Sequence, residues 1–120
     1  MRLALVAVVL AAPAVATPAA AKTTYCSPTG DYCTSAARVK HVRYLRLSTF
    51  SFRGQVKICV RDPRNLRTCH SYALRRSGPL YELAVKWKGH YPNPGPGVYR
   101  VSFFLGTTSL GPTLSFTLRP

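Results

Sequence analysis

Enzyme chemistry needs a nucleophile, a general acid or base, or a metal, held within reach of one another. The 120-residue chain supplies few candidates. Its three acids, Asp31, Asp62 and Glu82, are scattered, and the two aspartates fall in stretches read as turns, where Asp caps its own backbone. No carboxylate pair for glycoside hydrolysis emerges from that spacing. His41, His70 and His90 lack metal-ligand spacing, and His70, beside Cys69, reads as a strand residue. Ser109 lies in Gly106-Thr107-Thr108-Ser109-Leu110-Gly111, which misses the spacing of a nucleophile elbow and sits in a hairpin. The expectation is a protein without catalysis, cofactor or metal.

The basic residues are the stronger chemical signal. Seventeen Lys and Arg stand against three acids, for a formal charge of +14. Twelve are Arg, whose planar guanidinium forks onto phosphate and carboxylate. Such an excess attracts anionic polymers and membrane surfaces at long range; the bland reading is that it keeps an exported protein soluble. The candidate surface is the outer face and the ends of one hairpin, carrying Lys57, Arg61, Arg64, Arg67, Arg75 and Arg76, with Lys86 and Lys88 alongside. Its expected partners are phosphate-rich cell-wall polymers, acidic glycans or anionic lipid headgroups, with affinity falling as salt rises. Nucleic acid would feel the same charge by counterion release, but no recognition motif or stacking stripe supports it. The competing class is a structural or protein-interaction module, touching a protein partner through the loop Gly89 to Gly97 with His90 and Tyr91. A membrane-active toxin is disfavoured, because no long amphipathic helix is read in the chain.

The elements that must position these side chains are strands. Val56, Ile58 and Val60 alternate with Lys57, Cys59 and Arg61, and the chain resumes from Leu66 to Leu74 after Asp62-Pro63-Arg64-Asn65. If Cys59 faces Cys69, the loop is Pro63-Arg64-Asn65, with Pro early in the turn and Asn at the left-handed position. Ile58 then faces His70 and Val56 faces Tyr72, and a disulfide staples the outer side, contributing about 2 to 3 kcal/mol in the chain-entropy model. Leu80 to Lys88 alternates with Tyr81, Leu83, Val85 and Trp87 inward. Tyr99, Val101, Phe103 and Leu105 share one face of a period-two strand, and Leu110, Leu114, Phe116 and Leu118 share one face of its partner. Val39 to Phe52 alternates imperfectly: Leu45 and Leu47 hold one phase and Phe50 and Phe52 the other. A bulge or bend near Ser48-Thr49 reconciles them, as one bent strand or two short ones.

Met1-Arg2, the apolar run Leu3 to Ala12 and the small residues Ala19-Ala20-Ala21 read as a cleaved export signal over residues 1–21. An uncleaved anchor is the competing reading. Cleavage leaves sixteen basic against three acidic residues, or +13, and places the chain outside the cytoplasm, secreted or extracytoplasmic. Four cysteines there form a disulfide framework. Cys26 and Cys33 bracket the turn Pro28-Thr29-Gly30-Asp31, and a bond between them would anchor the new N-terminus; pairing of each with a later cysteine stays open. Neither Cys spacing is a tight zinc knuckle. Residues 22–36 form a disulfide-anchored lead-in and 37–120 the domain proper.

With no helical period and turn signals between short strands, the fold class is all-β, a single antiparallel sandwich of about six to seven strands. Gly97-Val98-Tyr99-Arg100-Val101 resembles the tyrosine corner of immunoglobulin-like and fibronectin-type domains, with Val101 where antibody domains carry a cysteine. From Cys26 to Leu118 the chain is similar to the small exported immunoglobulin-like proteins of actinobacteria, basic and arginine-rich with two cysteine pairs. The resemblance implies an immunoglobulin-like fold and an envelope location, and no substrate.

Overall fold

The computed structural model describes residues 22–120; the export signal expected over residues 1–21 lies outside them. The described residues contain no helix, and every ladder between strands is antiparallel. In one sheet β1 (Thr24–Cys26), β2 (Tyr32–Ser35), β4 (Val42–Thr49), β8 (Leu80–Lys86) and β7 (Arg75–Ser77) neighbour each other in that order, and β3 (Arg38–Val39) folds onto the start of β4. In the other, β9 (Gly97–Leu105) pairs on one side with β5 (Gln55–Arg61), which pairs in turn with β6 (Arg67–Ala73). The far edge of β9 holds β10 (Thr108–Ser109) at one end and β11 (Leu114–Leu118) at the other.

Eleven strands therefore stand among the described residues where six or seven are expected. The surplus is short pieces. The lead-in 22–36 is itself a hairpin whose second strand pairs with β4. The return strand after β9 is cut in two by Gly111-Pro112, because proline cannot donate to a ladder. A two-residue turn at Lys40-His41 separates β3 from β4. Both turn residues have positive φ, 49° and 69°, the geometry that matches the twist of a tight hairpin.

Of the bulge or bend expected near Ser48-Thr49, the Val39 to Phe52 segment has the bend, at Phe50-Ser51 directly after the strand ends. Leu45, Leu47 and Thr49 all point inward, and β4 ends there. Thr49 Oγ1 accepts the Ser51 amide at 3.1 Å, so the chain leaves the sheet. Phe50 swings out to 63% exposure, while Phe52 returns against the Tyr32 ring at 6.0 Å.

The core lies between the sheets. Leu45, Leu47, Leu83 and Val85 come from the first; Val56, Ile58, Val60, Val101 and Phe103 come from the second. At its centre Tyr99 and Phe116 stack, with centroids 5.1 Å apart, and Trp87 meets both edge-on at 5.0 and 5.3 Å. Such geometry favours aromatic quadrupoles beyond the area they bury. The guanidinium of Arg43 covers the far face of Phe116 at 4.3 Å and donates to the Ala36 carbonyl; burial pushes its pKa down, and Arg38 adds to this.

Two corners fix how the chain enters β9. The Tyr99 hydroxyl donates to the Gly95 carbonyl at 2.6 Å, across the turn that delivers the strand. Gly97, with φ of 138°, lets the backbone pass Pro63: a Cβ there would lie 2.6 Å from the proline Cβ. This close approach holds the β5–β6 turn against the start of β9.

Candidate basic face

The hairpin of β5 and β6 has the register expected from its cysteines. Cys59 faces Cys69, Ile58 faces His70 and Val56 faces Tyr72. Asn65 takes the left-handed position with φ of 71°, and Cys59 and Cys69 are bonded, as are Cys26 and Cys33. The turn is held by Asp62, whose buried carboxylate accepts the amides of Arg64 and Leu66 at 2.9 and 3.0 Å and meets the Arg64 guanidinium at 3.2 Å. Burial alone would push that carboxyl up, but the hydrogen bonds from Leu66 and Arg64 outweigh it and hold the group below the ordinary aspartate range.

Because side chains alternate across a strand, the outward positions of this sheet form rows running over neighbouring strands. One row is Arg67 on β6, Arg61 on β5 and Arg100 on β9, each directly opposite the next. The adjacent outward row is Cys69, Cys59 and Ser102, and the one beyond it is Ser71, Lys57 and Phe104. The Ser102 hydroxyl lies 3.0 Å from that of Thr113. Around the disulfide a shallow depression of about 160 Å³ is lined by Cys59, Arg61, Arg67, Arg100, Ser102 and Thr113. Phe104 stands at its far side, with the Arg67 guanidinium 5.7 Å and the Lys57 ammonium 5.2 Å from the ring centre. One guanidinium nitrogen of Arg61 donates to the Asn65 carbonyl at 2.9 Å and to its side-chain oxygen at 3.2 Å.

No Asp or Glu occupies an outward position of these rows. The only ion pair among the described residues joins Arg64 to Asp62.

The eight expected basic residues thus divide. Lys57, Arg61 and Arg67 share the face just described. Arg64 is at its end, tied to Asp62. Arg75 and Arg76 sit on β7 of the other sheet, with Arg75 opposite Glu82 and Arg76 donating to the Gly78 carbonyl. Lys86 points outward at the end of β8 in that same other sheet, and Lys88 is exposed just beyond it. Arg100, Ser102, Phe104 and Thr113 join the face without having been singled out. For Arg100, Ser102 and Phe104 the signal is the outward phase of the strand whose inward phase is Tyr99, Val101 and Phe103; Thr113, just before β11, has none within a strand.

The loop Gly89 to Gly97 is not a free contact surface at Tyr91. That side chain is buried, its hydroxyl donating to the Ile58 carbonyl at 2.9 Å and accepting from Tyr72 at 3.2 Å. Burial, with the Tyr72 hydroxyl beside it, pushes its pKa far up. His90 stays exposed, its Nδ1 2.8 Å from the Lys86 carbonyl.

Comparison with family models, curated proteins and solved structures returns no match. Among the described residues no three His, Cys, Asp or Glu side chains gather as a metal site, and no helix is long and apolar enough to cross a membrane. The two disulfides are consistent with an oxidising, extracytoplasmic environment.

Proposed function

We propose that the chain is an exported, non-enzymatic protein of the small immunoglobulin-like kind made by actinobacteria, and that it binds anionic polymers of the cell envelope through the outer face of the β6–β5–β9 sheet. Two features support the fold assignment. The order β2–β4–β8–β7 opposite β10/β11–β9–β5–β6 is compatible with an immunoglobulin sandwich, in which a four-stranded sheet faces one of three or more strands through Greek-key connections. The Tyr99 hydroxyl bonded back to Gly95 has the geometry of a tyrosine corner.

The binding reading rests on one observation, the row Arg67–Arg61–Arg100 on a face without carboxylates. Like charges directly opposite one another disfavour a sheet, and a polyanion laid over the row reverses that repulsion. The low-dielectric side of a sheet also focuses the field of neighbouring cations outward.

The test is retention on isolated cell walls across a salt series, with the protein produced from its full coding chain and collected after export. A variant with Lys57, Arg61, Arg67 and Arg100 changed to Gln is compared with one in which Arg75, Arg76, Lys86 and Lys88 are changed to Gln. Both lose four charges, so net charge is matched. Salt-sensitive retention, abolished only in the first variant, is the expected result. Equal loss in both assigns retention to net charge alone, and retention indifferent to salt refutes the reading.

A further inference from the structure

The depression on this face brings three arginines, Arg61, Arg67 and Arg100, to one small space. Directly opposed residues on neighbouring strands have Cβ atoms about 4.5–5.5 Å apart, so Arg61 stands one strand from both Arg67 and Arg100. Its guanidinium is anchored through one nitrogen on Asn65, which leaves its remaining donors for a ligand. Arg67 leans across the disulfide toward Phe104, so guanidinium groups border the depression from more than one side. Ser102 and Thr113, whose hydroxyls bond to each other, complete the lining. At about 160 Å³ the space is below the roughly 300 Å³ at which clefts begin to enclose whole drug-sized ligands. It suits a terminal group of a larger molecule.

A carboxylate offers two coplanar oxygens and satisfies one guanidinium fork. A phosphate monoester offers three terminal oxygens in tetrahedral array and a charge of about −1.5 to −2 at neutral pH. Because Ser102 and Thr113 bond to each other, one hydroxyl proton remains free; with the uncommitted donors of three arginines it exceeds what the two coplanar oxygens of a carboxylate take from one fork, and suits the three terminal oxygens of a phosphate monoester.

We infer that the depression around the Cys59–Cys69 disulfide is a phosphate-monoester site, with Arg61, Arg67 and Arg100 as its cationic walls. The inference rests on the envelope-binding reading and adds the chemical group that is recognised. The disulfide is the floor: it holds β5 and β6 in the register that sets Arg67 opposite Arg61.

Titration calorimetry at constant ionic strength and pH 7.5 compares glycerol 3-phosphate, inorganic phosphate and succinate on the exported protein. Glycerol 3-phosphate is expected to bind about 10-fold or more tightly than succinate, which carries a similar charge. The affinity should weaken as pH falls below about 6, where the monoester loses its second charge. Changing Arg61 and Arg100 to Lys keeps the charge and removes the forks, and is expected to abolish the preference over succinate; R75K/R76K leaves it intact. Inorganic phosphate binding as tightly as the ester would mark free phosphate as a sufficient ligand, and a tighter ester would mark a phosphorylated polymer end; both support the site. Equal binding of succinate and glycerol 3-phosphate, or a preference that survives R61K/R100K, overturns the inference. If cell-wall retention remains salt-sensitive in that case, the broader reading stands. If retention is absent as well, both fail.

Discussion

Changing Tyr99 to Phe removes one hydroxyl and leaves the ring between Trp87 and Phe116 in place. The hydroxyl has a single proton, which the 2.6 Å contact assigns to the Gly95 carbonyl, with the Asn93 side-chain oxygen at 3.2 Å as a secondary neighbour. A typical intramolecular hydrogen bond contributes about 0.5–1.5 kcal/mol net, and an acceptor left without a partner adds to the loss. Gly95 is half-buried, so water restores only part of that carbonyl's bonding. The expected destabilisation is about 1.5 kcal/mol. For a domain of this size that lowers Tm by about 6–12 °C. Urea unfolding followed by the fluorescence of Trp87, the only tryptophan, measures it, since the indole sits against the Tyr99 ring. Tyr99→Ala should lose about 3–5 kcal/mol, because it also empties a fully buried site. A Tyr99→Phe variant within about 0.3 kcal/mol of the parent, at unchanged urea dependence, would refute the argument that this bond closes the turn into β9.

Three further outcomes follow from the same structure. Gly97→Ala places a Cβ against the Pro63 Cβ and Cγ at a positive φ and is expected to cost about 1–3 kcal/mol; combining it with Pro63→Gly, which removes both clashing atoms, should recover the part of that loss due to the clash, as read by a double-mutant cycle in urea. The depressed Asp62 pKa means that stability is present above the ordinary aspartate value of 3.8 and is lost as pH falls through the folded value, so Tm measured down an acid series should drop in the parent and less in Asp62→Asn. The raised Tyr91 pKa has the opposite sense: stability is present below pH 10 and is lost as pH rises toward the folded value. Tyr91→Phe should therefore be about 1 kcal/mol less stable at neutral pH and show a shallower loss in alkaline unfolding.

The parts of the fold legible in the chain are those set by local spacing. Cys59 and Cys69, with Pro63 and Asn65 between them, define one register for the β5–β6 hairpin, because a one-residue slip would turn Ile58 and Val56 to solvent. The inward sets of β8 and β9 follow from strict alternation. Local spacing also misled in places. Phe50 and Phe52 share a phase, yet Phe50 is exposed: the Thr49–Ser51 turn takes the chain off the sheet, where period two no longer assigns a face. Strand count failed for a related reason, since a two-residue ladder such as β3 or β10 carries no period at all. Tyr91, between His90 and Pro92 in a stretch read as a surface crossing, is core because an acceptor on a distant strand, the Ile58 carbonyl, receives its hydroxyl.

By itself the sequence determined an excess of arginine, two strands of a stapled hairpin and the outward position of Lys57, Arg61 and Arg67, because alternation along one strand is a property of the backbone. Only the tertiary structure decided that Arg100 lies opposite Arg61 and that Arg75, Arg76 and Lys86 belong to the other sheet, with Lys88 just beyond its end. Which strand neighbours β5 is settled by how two apolar faces close over Tyr99, Trp87 and Phe116, and that closure is a non-local choice that no spacing within a strand records.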